Sequence, residues 1–182
     1  MQKDLNARKE AEDLAKVWIR AIRNKYDYKE DWIQFGGFSR TKTFSGTCDG
    51  KTRYNNVFDC ERYAIIKLSG WFIDLGRPIE KTENTIIHEL AHAIDWIRNG
   101  KMDHSDRWKD IMKNELGLEP NRCMELQPNL RRKWIDLAPY IWICSMDECS
   151  NKTGYYRKPK YMHRICKDCN VTSKVKPQKN NG

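Results

Sequence analysis

Apolar residues near the start of the chain recur every three or four positions and are separated by Lys, Arg, Asp and Glu. The residues that carry this spacing are Leu14, Val17, Trp18, Ala21 and Ile22. A repeat close to 3.6 residues places its members on one face of an amphipathic helix. We therefore predict a core-packing helix over residues 3–29.

Between residues 31 and 75 the helical spacing gives way to short stretches rich in aromatic and β-branched residues. The turn-forming pairs in this region are Gly36-Gly37, Ser45-Gly46 and Asp49-Gly50. The stretches themselves are Trp32–Phe38, Thr41–Thr47 and Arg62–Leu68. This alternation is typical of strands joined by tight turns, so we predict a small antiparallel sheet of about three strands that ends before Pro78.

A second amphipathic helix is predicted from about Glu80 to Asn99, with Gly100 at the position that commonly ends helices. Its apolar side carries Ile86, Leu90, Ala93, Ile94 and Ile97. Its polar side carries His88, His92, Asp95 and Asn99. We expect the apolar side to pack on the core and the polar side to carry side chains that can bind a metal ion.

A shorter helix is predicted from about Ser105 to Leu116, ended by Gly117. Its inward residues are Trp108, Ile111 and Met112. Residues 120–139 contain three prolines and are expected to be partly irregular.

The sequence His88-Glu-Leu-Ala-His92 has the spacing of a metal site. Residues four apart lie one turn apart on the same face of a helix, so both imidazoles can bind one ion. Glu89 is rotated by about 100° around the helix, where it can reach a water on that ion. The alternative interpretation is that the histidines are ordinary helix residues and Glu89 is a surface charge.

His104 is the predicted third ligand, because a turn at Gly100 and a short loop can return the chain to the site. Asp95, Asp103 and Asp106 are alternatives for this position. We favour Asp95 as an acceptor that orients a ligand imidazole rather than as a ligand itself.

Three protein ligands and an open fourth position are the donor set of a catalytic zinc. Zinc lowers the pKa of its bound water toward about 7 and polarises a substrate carbonyl. Glu89 is then the predicted general base, which takes the proton of this water and delivers it to the leaving amine. These residues predict hydrolysis of peptide bonds, although the sequence alone identifies no side chain that stabilises the oxyanion.

Four cysteines near the C-terminus occur as two pairs, Cys144 with Cys149 and Cys166 with Cys169. Two such pairs are the spacing of a zinc ribbon, in which four thiolates hold a structural zinc. Two disulfides are the alternative, and His163 could replace one of the cysteines. The chain is therefore expected to bind two zinc ions, one catalytic and one structural.

The net charge of +9 is concentrated in residues 151–182, which carry nine Lys or Arg and one acid. Basic residues alternate there with tyrosines, a pattern that suits phosphate contact and base stacking. The candidate contacts are Arg157, Lys158, Lys160 and Arg164. We predict sequence-independent binding to DNA, with single strands as a candidate form; the alternative is a solvated basic hairpin.

The chain has no apolar run near the roughly 20 residues that span a bilayer, and its first ten residues lack a signal-peptide core. We therefore expect an intracellular protein, cytoplasmic or in the nucleoid or nucleus, that is not secreted and has no membrane partner. In a reducing compartment its cysteines bind metal more readily than they form disulfides.

Taken together, these motifs resemble the SprT-like metallopeptidase family, which includes Spartan. The similarity covers residues 30–170. It consists of the 88–92 motif, His104 followed by Trp108-Lys109, the strand at 63–69, and the ribbon that begins with Tyr140-Ile-Trp-Ile-Cys144. Two departures are Ser105, where the family often has Gly, and the four-residue spacing between Cys144 and Cys149.

The resemblance implies a zincin-like fold, a zinc held by His88, His92 and His104, and Glu89 as base. It also implies proteolysis associated with DNA, such as the repair of DNA-protein crosslinks. We accordingly expect an α+β metallopeptidase domain over residues 1–139, a zinc ribbon over 140–173 and a disordered basic tail over 174–182. The alternative function is a nucleic-acid-binding zinc protein whose zincin domain is a scaffold without relevant proteolysis.

Overall fold

A computed structural model describes residues 2–56, 59–120, 135, 137–155, 159 and 161–177. The chain divides into two compact units, Met1–Met124 and Glu125–Gly182. The first unit combines helices with a small sheet, as expected for an α+β fold. Within the described residues, no helix has the length and apolar character needed to cross a membrane.

The predicted N-terminal helix is present as α1, Leu5–Tyr26. Asp4 caps its start by accepting a hydrogen bond from the Ala7 amide at 3.0 Å, and Asp27 ends it in the left-handed conformation. Its buried face is rotated from the predicted one, since the buried residues are Ala11, Ala15, Ile19 and Ile22. Val17 is exposed, and Trp18 lies at the edge of this face, where its Nε1 donates to Glu83.

The sheet contains β1 (Ile33–Ser39), β2 (Gly46–Tyr54) and β3 (Cys60–Ser69) in the order β1-β3-β2. The prediction of an antiparallel sheet is wrong for one of its two pairings: β2 is antiparallel to β3, but β1 is parallel to it. Residues 40–45 carry the chain past the end of β3, so that β1 and β2 lie on opposite sides of the central strand and do not form a hairpin.

The predicted strand Thr41–Thr47 is also wrong, because β2 begins at Gly46 and continues through Asp49-Gly50, which we had interpreted as a turn. A methyl group on Gly50 would lie only 2.6 Å from Trp96 and from Met102. Gly50 therefore allows β2 to approach a neighbouring helix closely. It does not form the turn that we predicted at Asp49-Gly50.

That neighbour is the predicted second long helix, here α3, Ile79–Asn99. Gly100 ends it with φ 66° and donates its amide to the Trp96 carbonyl at 2.8 Å. The predicted apolar face packs against the sheet and α1, with Ile86, Leu90, Ala93 and Ile94 fully buried. A short helix that we did not predict, α2 (Gly70–Asp74), connects β3 to the segment before α3.

The predicted helix from Ser105 to Leu116 consists of α4 (Asp106–Asp110) and a π-helical turn, Ile111–Glu115. Gly117 follows with φ 71°. Trp108, Ile111 and Met112 are buried as predicted.

The C-terminal unit contains two small sheets. One has the order β5-β4-β8 and the other is a hairpin of two strands. The strands are β4 (Tyr140–Ile143), β5 (Lys152–Tyr155), β6 (His163–Ile165), β7 (Thr172–Lys174) and β8 (Lys176–Pro177).

Residues 174–177, which we assigned to a disordered tail, belong to this unit. Val175 is buried against Trp142 and two of the cysteines, and β8 pairs with β4. Residues 178–182 lie outside the described residues, as does most of the 120–139 segment that we expected to be irregular.

Candidate metal centre and adjoining cleft

The three histidines that the sequence singled out are brought together. His88 and His92 project from α3, and His104 lies in the loop just before α4. The Nε2 atom of His104 is 3.2 Å from the Nε2 atoms of both His88 and His92. A tetrahedral zinc with Zn–N bonds of about 2.0–2.1 Å separates its nitrogen ligands by about 3.3 Å. The spacing of these three nitrogens therefore fits one zinc ion.

A single indole ring supports all three imidazoles. Trp108 on α4 is fully buried, and its ring centroid lies 4.8 Å from that of His88, 5.3 Å from His92 and 4.5 Å from His104. We predicted Trp108 to be a core residue but did not predict this contact. Because His104 lies in the loop before α4, no helical spacing in the sequence signalled this contact.

Burial shifts the titration of the groups around this centre. Removal from water, and next the neighbouring imidazoles of His88 and His104, lowers the pKa of His92 to about 3. This ring is therefore neutral at physiological pH, the form in which histidine binds metals. Burial also raises the pKa of Glu89 to about 8, because the apolar surroundings disfavour its carboxylate.

Asp95 does not orient an imidazole, contrary to our prediction. Its Oδ1 atom accepts hydrogen bonds from Asn99 at 2.8 Å and from Arg107 at 3.3 Å. The Nδ1 atom of His92 and the Oδ2 atom of Asp95 are both buried without a hydrogen-bond partner. Asp95 is completely buried and instead links α3 to Arg107 on α4, the helix that carries Trp108.

The other two alternatives for the third ligand are also engaged elsewhere. Asp103 accepts the Ser105 amide at 3.0 Å, and Asp106 pairs with Lys109 at 2.7 Å. Neither belongs to the histidine cluster among the described residues.

A cleft of about 810 Å³ opens onto the histidine cluster. Residues 43–48 form one of its walls, and Thr85, Glu89 and the histidines lie opposite. A methyl group on Gly46 would lie 2.7 Å from Thr85 and 3.0 Å from Glu89, so this glycine allows the wall to come close to the predicted base. The sequence analysis missed the wall because it placed Thr41–Thr47 in a strand, whereas only the last two of these residues belong to β2.

The four paired cysteines form a second cluster, in the C-terminal unit. Their sulfur atoms all lie within 4.8 Å of one another, and Cys149 Sγ is 3.7 Å from Cys166 Sγ. Zn–S bonds of about 2.3 Å in a tetrahedral site place the sulfurs about 3.8 Å apart. The cysteines are free thiols, which disagrees with the disulfide alternative, and His163 does not belong to the cluster.

Hydrogen bonds to the Cys166 sulfur stabilise its thiolate, which is the form that binds metal. Its sulfur accepts from the backbone of Cys169 and from Asn151 Nδ2, which lies 3.4 Å away. These donors lower the pKa of Cys166 to about 6. Cys169 is shifted the other way, because hydrogen bonds with the neighbouring cysteines, Cys149 first, raise its pKa to about 12.

Of the predicted nucleic-acid contacts, Arg157, Lys158 and Lys160 lie outside the described residues. Arg164 lies on β6, and its guanidinium is 5.4 Å from the centre of the Trp142 ring. Tyr161 is 72% exposed. Both line a groove of about 460 Å³ in the C-terminal unit.

A family model described as SprT-like family matches residues 19–124, more than half of the 182 residues. The matched segment includes α3, His104 and α4, and it ends before the cysteine cluster. No curated protein and no solved structure matches the chain.

Replacement of Trp108 tests its support of the three imidazoles. We expect Trp108→Phe to retain the fold and to lower zinc affinity at the histidine cluster about 10-fold or more, as loss of a group that orients metal ligands commonly does. Competition with a zinc chelator measures this affinity.

The matched control is Trp71→Phe, which changes a buried tryptophan of the same unit whose ring packs on Phe72. Its zinc affinity should equal that of the wild type. Equal affinity in a folded Trp108→Phe variant would contradict the role of the indole.

Proposed function

Because the chain belongs to the SprT-like family, we propose that it is a zinc-dependent endopeptidase. The observation that carries this proposal is the position of three imidazole nitrogens, spaced for one zinc ion, in the same cleft as Glu89. Zincin-type hydrolysis needs this combination of a three-ligand metal and a nearby base.

His88, His92 and His104 would hold the catalytic zinc, and the four cysteines would hold a structural one. A zinc ion with three protein ligands keeps a fourth position for water, lowers the pKa of that water and polarises a substrate carbonyl. The second ion would stabilise a unit in which the cysteines pack with Trp142 and Val175 in a small cluster of described residues.

Glu89 is the proposed general base. It lies on the helical turn of His88, lines the cleft, and is 7% exposed. It takes the proton of the attacking water and then delivers this proton to the leaving amine. With its pKa raised to about 8 by burial, Glu89 is mostly protonated at neutral pH unless a cation stabilises the carboxylate, and the proposed zinc would supply that cation.

The strand β2 gives an extended substrate a place to bind. It is at the edge of the sheet, and Trp96 Nε1 donates to the Lys51 carbonyl at 3.0 Å, so this carbonyl points away from β3. Backbone groups alternate in direction along an antiparallel strand, and those of Thr47 therefore also point away from β3. A peptide could pair with this edge beside the cleft.

We further propose that the substrates are proteins bound to or crosslinked with DNA, and that the C-terminal unit contacts the DNA. Support comes from the charge of residues 151–182 and from exposed Tyr161, which shares a groove with Arg164. An exposed aromatic ring beside a cation can stack on an unpaired base, so single-stranded DNA is the favoured partner. The competing proposal is a nucleic-acid-binding protein whose first unit is only a scaffold.

The variant Glu89→Gln separates these two proposals. We expect the wild type to degrade a DNA-bound protein and Glu89→Gln to lose nearly all of this activity, because an amide cannot accept the proton of the attacking water. Both proteins should contain two zinc ions by elemental analysis, and His92→Ala should lose one of them. Equal degradation by wild type and Glu89→Gln would refute the enzymatic proposal.

The variant Gly46→Ala tests the closeness of the cleft wall to the base. The added methyl must displace Glu89 or the wall by several tenths of an ångström. We expect the turnover number to fall about 10- to 100-fold at unchanged zinc content, because small misplacements of catalytic groups have effects of this size. A variant with wild-type turnover would show that this contact does not position Glu89.

The variant Tyr161→Ala tests DNA contact. Loss of one stacked base should weaken single-stranded DNA binding about 5- to 100-fold, as measured by fluorescence anisotropy at fixed salt. Met146→Ala, which removes another exposed side chain of the same unit, is the control and should bind as the wild type does. If Tyr161→Ala binds equally well, this groove is not the DNA site.

A further inference from the structure

Phe44 is a large apolar side chain left exposed inside the cleft. It is 61% exposed and lies in the wall that faces the histidines. Single exposed apolar residues are common on protein surfaces and need no explanation. A phenyl ring in a cleft that also contains a candidate metal centre is different, because a bound substrate would cover it.

The backbone on either side of Phe44 is fixed by hydrogen bonds from the rest of the unit. Ser69 donates its hydroxyl to the Thr41 carbonyl at 2.6 Å and its amide to the Ser45 carbonyl at 2.8 Å. Arg77 donates to the Ser45 hydroxyl at 3.1 Å and also to Thr85 on α3 at 3.1 Å. The wall is therefore ordered before any ligand arrives, which reduces the entropy lost on binding.

The other side chains of the cleft make it a poor environment for charge. Glu89 is the only acidic residue among the twelve described lining residues, and these include neither Lys nor Arg. Met102 contributes a half-buried thioether, which adapts its shape to apolar partners. A charged substrate side chain would lose its hydration here without gaining a dedicated partner.

We propose that Phe44 provides an apolar subsite that accepts a large apolar side chain of the substrate, close to the bond that is cleaved. The site then selects neutral, apolar segments of a polypeptide over charged ones. This inference rests on the proposed peptidase function, since it assigns the substrate preference of the same cleft.

Peptide binding tests the subsite without relying on turnover. The probes are fluorescent peptides that differ at one position, occupied by Leu, Phe, Ser, Asp or Lys, and the receptor is the full, zinc-loaded chain carrying Glu89→Gln. We expect the Leu or Phe peptide to bind about 10-fold tighter than the Asp and Lys peptides, the range typical of one side chain in an apolar pocket.

Adding Phe44→Ala to this receptor should weaken the binding of the Leu and Phe peptides about 5- to 10-fold and should leave the Asp and Lys peptides unchanged. Phe44→Leu should restore most of the preference, because it restores the apolar surface. The matched control is Tyr54→Ala, which removes a 76% exposed aromatic residue at the far end of β2 that does not line the cleft. It should bind all peptides as its parent does.

Cleavage of the same peptides by the chain with Glu89 intact distinguishes failure of the proposed apolar subsite from failure of the proposed peptidase function. If Phe44→Ala keeps the parental preference, or if no preference exists, the subsite is refuted even when cleavage depends on Glu89. If a preference dependent on Phe44 is present but no peptide is cleaved, the subsite stands and the peptidase proposal fails. If both stand, Phe44→Ala should raise KM for the apolar peptides with little change in kcat.

Discussion

The packing of one buried indole against three imidazoles is the contact on which the metal centre depends. Two of the histidines lie on α3, but the third lies on a loop and is placed only when α4 docks against α3 and brings Trp108 beneath the rings. The buried Asp95 reinforces this docking through Arg107. A helix–helix contact therefore brings a third imidazole to the two-histidine motif, as a candidate third metal ligand.

The cleft depends on a second close contact, between β2 and α3. Gly46 and Gly50 lack the side chains that would hold the strand away from Thr85, Glu89 and Trp96. The resulting proximity removes Glu89 from water and raises its pKa to about 8. Of these two glycines, Gly46 lines the cleft and allows the strand to come close to the proposed base.

At each candidate metal site, local interactions shift the pKa of one residue toward the protonation state that binds metal, but the physical cause differs. At the histidine cluster, burial lowers the pKa of His92 to about 3 and keeps the ring neutral. At the cysteine cluster, hydrogen bonds from Cys169 and Asn151 lower the pKa of Cys166 to about 6 and favour the thiolate. At the first site the cause is removal from water, whereas at the second it is hydrogen bonds from nearby donors.

The sequence by itself determined the features that depend on local spacing: the long helices, the convergence of His88 and His92, and the two cysteine pairs. Periodicity and motif spacing specify these because the residues involved are neighbours on one helix or in one short turn. The parallel pairing of β1, the role of Gly50, the contacts of Trp108 and Asp95, and the wall that carries Phe44 were decided only by the tertiary structure. Each of them depends on which distant segment packs alongside, and no local pattern of residues encodes that choice.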